Sequence, residues 1–184
     1  MDSSSTPRVL IAYESMFGAT RQVAEAISDG VRGSAEADCR DVRRVSPFEL
    51  HRFDLIVVGA PTHARSLPTP ASRAEAATWV EGRMYGAQLE DRALTPGLRE
   101  WIDRTALSGL KITPFTTRVD MSRLLSGSAL PAIARRLRRA GAQVGRRGYE
   151  ALVDEHGQLC DGEVDRAREW GGILGRSLQH EARV

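Results

Sequence analysis

Arg8-Val9-Leu10-Ile11-Ala12-Tyr13-Glu14-Ser15-Met16-Phe17-Gly18-Ala19-Thr20 decides how this chain is read. Arg8 to Tyr13 is a short apolar run of the kind that fills a strand buried on both faces. Glu14 to Thr20 is a turn, and beyond it Val23, Ala24, Ile27 and Val31 recur at the period of a helix. Gly30 and Gly33 are expected to end that helix. A strand that hands over to a helix N-terminus presents unbonded N–H groups and a favourable dipole to an anion. Ser15 and Thr20 add hydroxyls and Gly18 permits close backbone approach, so the turn can hold a phosphate monoester without a lysine. An ordinary helix start, capped by Ser15 or Thr20, fits the same residues.

The alternation continues outward. Ala37 to Val42 reads as a second, edge-like strand interrupted by Asp38 and Arg40, and Ser46-Pro47 opens a very short helix. Phe53 to Gly59 is a β-branched third strand that runs into a proline-bearing loop, Ala60 to Pro68. Helix is expected from Ala71 to Arg83, irregular chain from Tyr85 to Leu94, and a helix from Thr95-Pro96 with Leu98, Trp101 and Ile102 on one face. Leu110 to Thr116 is a fourth strand and Thr117 to Gly127 a loop. Leu130, Ile133, Ala134 and Leu137 stripe a helix ended by Gly141, and Val144 to Val153 holds a fifth strand. Asp161 is expected to cap a last helix carrying Val164, Ala167, Gly171, Leu174 and Leu178. Five strands alternating with helices predict an α/β fold, a doubly wound five-stranded parallel sheet covered on both faces. A length of 184 residues suits one domain, placed at 8–179 between a flexible N-terminus (1–7) and a C-terminal tail (180–184).

Several function classes are excluded at this level. The longest apolar runs are about six residues, far short of a membrane span, and Met1 to Ser5 has no secretory pattern, so a cytoplasmic location is expected. Cys39 and Cys160 read as free thiols, and no metal-ligand spacing is present. Lys111 is the single lysine among 26 basic residues. The run Arg135-Arg136-Leu137-Arg138-Arg139 reads as a solvated helix face around a core leucine, paired with the acids of 150–165, rather than as a nucleic-acid site.

Doubly wound sheets bind ligands beyond the carboxyl ends of their strands, so the loops after the first, third and fourth strands are where chemistry is expected. They lack G-x-G-x-x-G, the P-loop lysine, the acidic pair and strand-end aspartate of a receiver domain, G-x-S-x-G and H-E-x-x-H.

What they contain resembles the flavodoxin family. Tyr13 to Thr20 with Val23 to Ile27 is similar to the family's FMN phosphate loop and first helix. Val58-Gly59-Ala60-Pro61-Thr62-His63 is similar to its second flavin loop, and Phe115 to Asp120 sits where the third begins. Flavodoxin-domain proteins of actinobacteria also resemble this chain at Leu98-Arg99-Glu100-Trp101, Asp161-Gly162-Glu163 and Arg168-Glu169-Trp170-Gly171. The resemblance implies strand order 2-1-3-4-5 and noncovalent FMN. Ser15, Met16, Phe17, Gly18, Ala19 and Thr20 would take the phosphate; Pro61, Thr62, His63, Ala64 and Arg65 would border the ribityl chain and ring; Thr116, Thr117 and Arg118 would close the ring's other side.

The departures are equally specific. The family loop usually reads S/T-x-T-G-x-T, and here Phe17 replaces the middle threonine. No Trp or Tyr stands in Thr116 to Leu125 to stack on the ring, and Phe115 is expected to face the core. Losing two stacking contacts of about 0.5–1.5 kcal/mol each would weaken FMN by one or two orders of magnitude. Arg21, Arg65, Arg118 and Arg123 are expected to form a cationic rim that favours the reduced, anionic flavin and raises its potential. His63 is expected to pack and touch the flavin.

Three functions follow from the resemblance. The first is an electron carrier serving a redox partner protein or a small quinone-like acceptor. The second is an FMN-dependent quinone or protoporphyrinogen-type oxidoreductase, and the third a flavodoxin fold that has lost FMN and serves as a binding or regulatory module.

Overall fold

Alternate residues of the first strand point to opposite sides of a sheet, and both sides are covered. In the computed structural model, which describes residues 6–81 and 88–181, β1 (Arg8–Tyr13) sends Val9 and Ile11 into one core and Leu10 and Ala12 into the other. β3 (Leu55–Pro61) divides in the same way, Leu55 and Val57 against Ile56, Val58 and Ala60. Such double burial explains why both strands read as continuous apolar runs.

The remaining elements follow in chain order. They are α1 (Ala19–Val31), β2 (Glu36–Asp41), α2 (Pro70–Glu81), α3 (Leu98–Arg104), β4 (Lys111–Val119), α4 (Arg123–Ser126), α5 (Leu130–Arg139), β5 (Gln143–Val144), β6 (Tyr149–Val153) and α6 (Glu163–Glu181). Two short 3₁₀ turns, Val42–Arg44 and Pro47–Arg52, follow β2, the second opened by the capping box of Ser46 and Glu49. The fold is the flavodoxin-like α/β fold: these strands pair in parallel in the order β2-β1-β3-β4-β5, and β6 also pairs β4 in parallel. α1 and α6 cover one face, α3 and α5 the other.

The expected fifth strand is split. β5 meets Lys111 and Ile112, and β6 meets Phe115 to Val119. Between them β4 carries Pro114, which has no N–H for a ladder, while Gly145-Arg146-Arg147-Gly148 loops past. A Cβ on Gly145 would meet Thr113 Oγ1 at 2.5 Å. β3 and β4 also extend beyond their expected ends, through Pro61 and Val119, so part of each presumed loop is strand.

Gly30 does not terminate α1. It lies inside the helix, where a Cβ would stand 1.9 Å from the Arg168 carbonyl oxygen of α6, and a Cβ on Gly171 would stand 2.2 Å from that of Ile27. These glycines let the two helix backbones touch. Val164 is exposed, and Glu163 and Gly175 are buried along α6 instead. The third helix starts at Leu98, not Thr95, because Glu100 reaches back to the Gly97 amide (2.8 Å). At the ends, the Pro7 carbonyl accepts from Glu36 N (2.8 Å), and α6 continues through His180 to Glu181, which pairs Lys111 (2.7 Å). Residue 7 and residues 180–181 thus make contacts with the sheet and α6 rather than lying apart from them. Residues 1–5 and 182–184, and 82–87 within the expected helix end and irregular stretch, lie outside the described residues.

Candidate functional site

The three carboxyl-end loops converge on one cleft of about 190 Å³. Met16, Phe17, Ala19 and Thr20 form one wall, Pro61 to Arg65 a second, and Thr117, Arg118, Val119 and Met121 a third. Of the residues expected at the site, Ser15, Gly18 and Thr116 do not line it.

Each of the three has a structural role that explains its place. Ser15 is fully buried and its hydroxyl accepts from Gly18 N (3.1 Å), so it shapes the turn rather than capping the helix. Gly18 is the residue that precedes α1, at φ +95°, a left-handed conformation costly for any residue with a Cβ. Thr116 is fully buried, donating to the Ala60 carbonyl (2.7 Å). Thr62 bonds the Thr116 hydroxyl (3.1 Å) and accepts from Ala129 N (3.0 Å), which fastens the second loop to α5.

One end of the cleft is formed by the start of α1. The amides of its first turn have no acceptor within the helix, and the dipole favours negative charge there. Thr20 sits in that turn with its hydroxyl 2.8 Å from the Thr117 hydroxyl, a pair that bridges the first and third loops. Such a turn fits a phosphate monoester. The cleft itself is smaller than the roughly 300–1,000 Å³ typical of enclosed ligand sites, so a flavin would be held partly outside it. Phe17 and His63 are the aromatic side chains on its walls; Phe115 is in the core, pressed over Gly59, where a Cβ would meet its ring at 2.2 Å.

The second loop turns tightly. His63 and Ser66 exchange backbone hydrogen bonds (2.8 and 2.9 Å), with Ala64 and Arg65 at φ +45° and +66°. Two non-glycine residues in the left-handed region are a local strain on the rim of the site. His63 is 6% exposed, and burial pushes its pKa down to about 4, with Arg73 assisting against a hydrogen bond with the Ser72 backbone. It is a neutral imidazole at neutral pH.

The expected cationic rim is largely neutralised. Arg21 pairs Glu90 (2.5 Å) and Glu25 (3.1 Å), and these hydrogen bonds raise its pKa further. Arg118 (3.2 Å) and Arg123 (2.6 Å) share Glu150. Burial would raise the Glu150 pKa, but hydrogen bonds from Ser128, Arg123 and Arg118 hold it below the ordinary carboxylate value. Arg65 alone of the four has no carboxylate partner among the described residues; it donates to the Leu124 carbonyl (2.6 Å). The sequence showed the arginines but not the three carboxylates that reach them from 25, 90 and 150. The arginine run on α5 is likewise corrected in part: Leu137 is fully buried as expected, but Arg136 pairs Asp103 of α3 (2.8 Å), not the acids after 150.

A buried charge cluster beside the first loop was missed altogether. Glu14 is 0% and Arg73 1% exposed. Arg73 Nε donates to Glu14 (2.8 Å), and its terminal nitrogens donate to Glu100 (2.9 and 3.2 Å). Leu98 N donates to the same Glu14 carboxylate (2.8 Å), against which a Cβ on Gly97 would fall at 2.3 Å. This triad ties the end of β1 to α2 and α3. Val119, Met121, Ser126, Val153 and Gly157 also line the cleft and were not expected there.

Residues 10–73 match the flavodoxin domain family. No protein of curated function matches the sequence. Among solved structures, an archaeal flavodoxin superposes with a TM-score of 0.64 at 20% identity, over 94% of this chain and 99% of that one. Oxidised flavodoxin 1 from Bacillus cereus gives 0.60 at 20% identity, over 92% and 97%. The flavodiiron protein from Giardia intestinalis gives 0.58 at 18% identity, over 96% of this chain and 37% of that one. At these identities the likeness is one of fold.

Proposed function

From the match of residues 10–73 to the flavodoxin domain family and the flavodoxin-like fold, we propose that this chain binds FMN noncovalently in the cleft and serves as an electron carrier. The observation that carries the reading is the turn Ser15 to Thr20, with Gly18 at φ +95° leading into the unbonded first-turn amides of α1, at the wall of the one cleft where all three loops meet. The chain's own residues do the binding and positioning. Thr20 and the α1 amides hold the phosphate, the Thr20–Thr117 pair fixes the first loop against the third, and Pro61 to Arg65 limits access of water on one side. His63, neutral at working pH, contributes a polar surface and no charge. FMN, when bound, supplies the one- and two-electron chemistry. Among the described residues no helix is long and apolar enough to cross a bilayer.

Fluorescence titration of FMN into the protein tests the reading. Saturable quenching at one FMN per chain is expected, and Gly18→Val, which cannot adopt φ +95° without strain, should weaken binding at least about tenfold, equivalent to some 1.4 kcal/mol. Absence of saturable binding would favour the regulatory-module reading. One observation supports that second reading: Ser15 is fully buried away from the cleft lining and Phe17 stands where the resemblance expects a threonine, so the loop has fewer hydroxyls for phosphate.

A further inference from the structure

A second cleft, of about 500 Å³, lies on the α3 side of the sheet and shares no lining residue with the first. We propose that it is a binding site for a small organic anion, a carboxylate attached to an apolar body.

The wall chemistry points to both halves of that ligand. Val42, Val45, Pro47, Pro96 and Trp101 supply apolar surface. Arg43, Arg92 and Arg104 also line it, and among the described residues no aspartate or glutamate does. Arg43 is already answered by Asp41, which accepts from its Nε at 2.7 Å. Arg92 and Arg104 have no carboxylate partner among the described residues. Arg104 commits only its Nε, to the Glu100 carbonyl (3.0 Å), which leaves the terminal pair of nitrogens to form the two-pronged contact that a carboxylate accepts.

An independent observation concerns Trp101. It is 7% exposed, and its indole Nε1–H is buried without an acceptor. A buried indole N–H ordinarily has a partner, and leaving one unmade costs about 1–3 kcal/mol. The hydroxyls of Thr105 and Thr95 bond elsewhere, to the Trp101 carbonyl (2.6 Å) and the Arg92 carbonyl (2.7 Å). The start of α3 is not the anion's seat either, since the amides of Gly97 and Leu98 are taken by Glu100 and Glu14. An incoming carboxylate supplies the negative charge that Arg92 and Arg104 lack, and its apolar body packs on the wall that includes Trp101, whose resonance reports the contact.

The test uses the full chain and three probes: benzoate, which has both halves; acetate, which has only the anion; and benzamide, which has only the neutral ring. The Trp101 indole N–H resonance, assigned by its loss in Trp101→Phe, is followed during each titration. A saturable shift with benzoate is expected, with acetate and benzamide each at least about tenfold weaker. The double variant Arg92→Gln/Arg104→Gln should weaken benzoate by a similar factor; both side chains are exposed, so the fold is retained and the far-ultraviolet spectrum checks this. No saturable shift up to about 10 mM benzoate, a Kd on the millimolar scale of weak sites, would overturn the proposal. So would a shift that survives the double variant. The site does not depend on flavin, so its failure and that of FMN binding are read separately.

Discussion

Removing the Arg73 guanidinium should be among the most damaging single changes available to this protein. Arg73→Met keeps the volume and the aliphatic stem but strands Glu14, which is 0% exposed and would retain only Leu98 N as a donor. Glu100, 23% exposed, can be rescued by water; Glu14 cannot. Breaking one partner from a buried pair costs about 3–5 kcal/mol, because the remaining charge is left in a poorly solvating interior. That is a large share of the roughly 5–15 kcal/mol that stabilises a domain of this size. Glu14→Gln removes the stranded charge, so the double variant Glu14→Gln/Arg73→Met should recover about 1–3 kcal/mol relative to the sum of the single losses. Urea denaturation of the four proteins gives all the terms of this cycle. A loss below about 1 kcal/mol for Arg73→Met, or purely additive losses, would refute the argument that the triad holds the end of β1 in place.

Three other perturbations have defined outcomes. Gly30→Ala should destabilise by about 1–3 kcal/mol or more, since its Cβ would fall 1.9 Å from a backbone oxygen of α6 and only separation of the helices relieves it; urea midpoints measure this. Ala64→Gly should instead stabilise by up to about 1 kcal/mol in the same assay, because Ala64 is exposed and held at φ +45°. His63 has a folded pKa of about 4 against an ordinary 6.5, so the unfolded chain binds the extra proton between those values. Stability should therefore rise from pH 4 to 6.5 by at most about 3 kcal/mol and not change further through this group, and His63→Gln should flatten that slope.

The sequence made the architecture readable because burial on both faces leaves an unambiguous trace. Val9 to Tyr13 and Leu55 to Ala60 carry no alternation, and only a sheet covered twice needs such strands. The turn Ser15 to Thr20 was readable for a related reason: strand, glycine and helix lie consecutively in the chain. What was not readable depends on distant partners. Glu14 looked like an isolated acid until α2 brought Arg73 to it across 59 residues. Arg118 and Arg123 looked like uncompensated cations until β6 placed Glu150 between them. Gly30 looked like a stop signal because a glycine that ends a helix and one that admits a second helix leave the same letter. The extension of β4 to Val119 was hidden by Thr117 and Arg118, polar residues that read as loop but pair in register with Ala151 and Leu152.

The central claim, that a phosphate group is gripped where β1 passes into α1, is tested most directly by comparing FMN with riboflavin, which lacks only that phosphate. Equilibrium titration of both into the same preparation should give saturable FMN binding at least about a hundredfold tighter than riboflavin, as expected if the helix-terminal contacts supply some 2.7 kcal/mol or more. Equal affinity for the two flavins, or binding of neither, would contradict it.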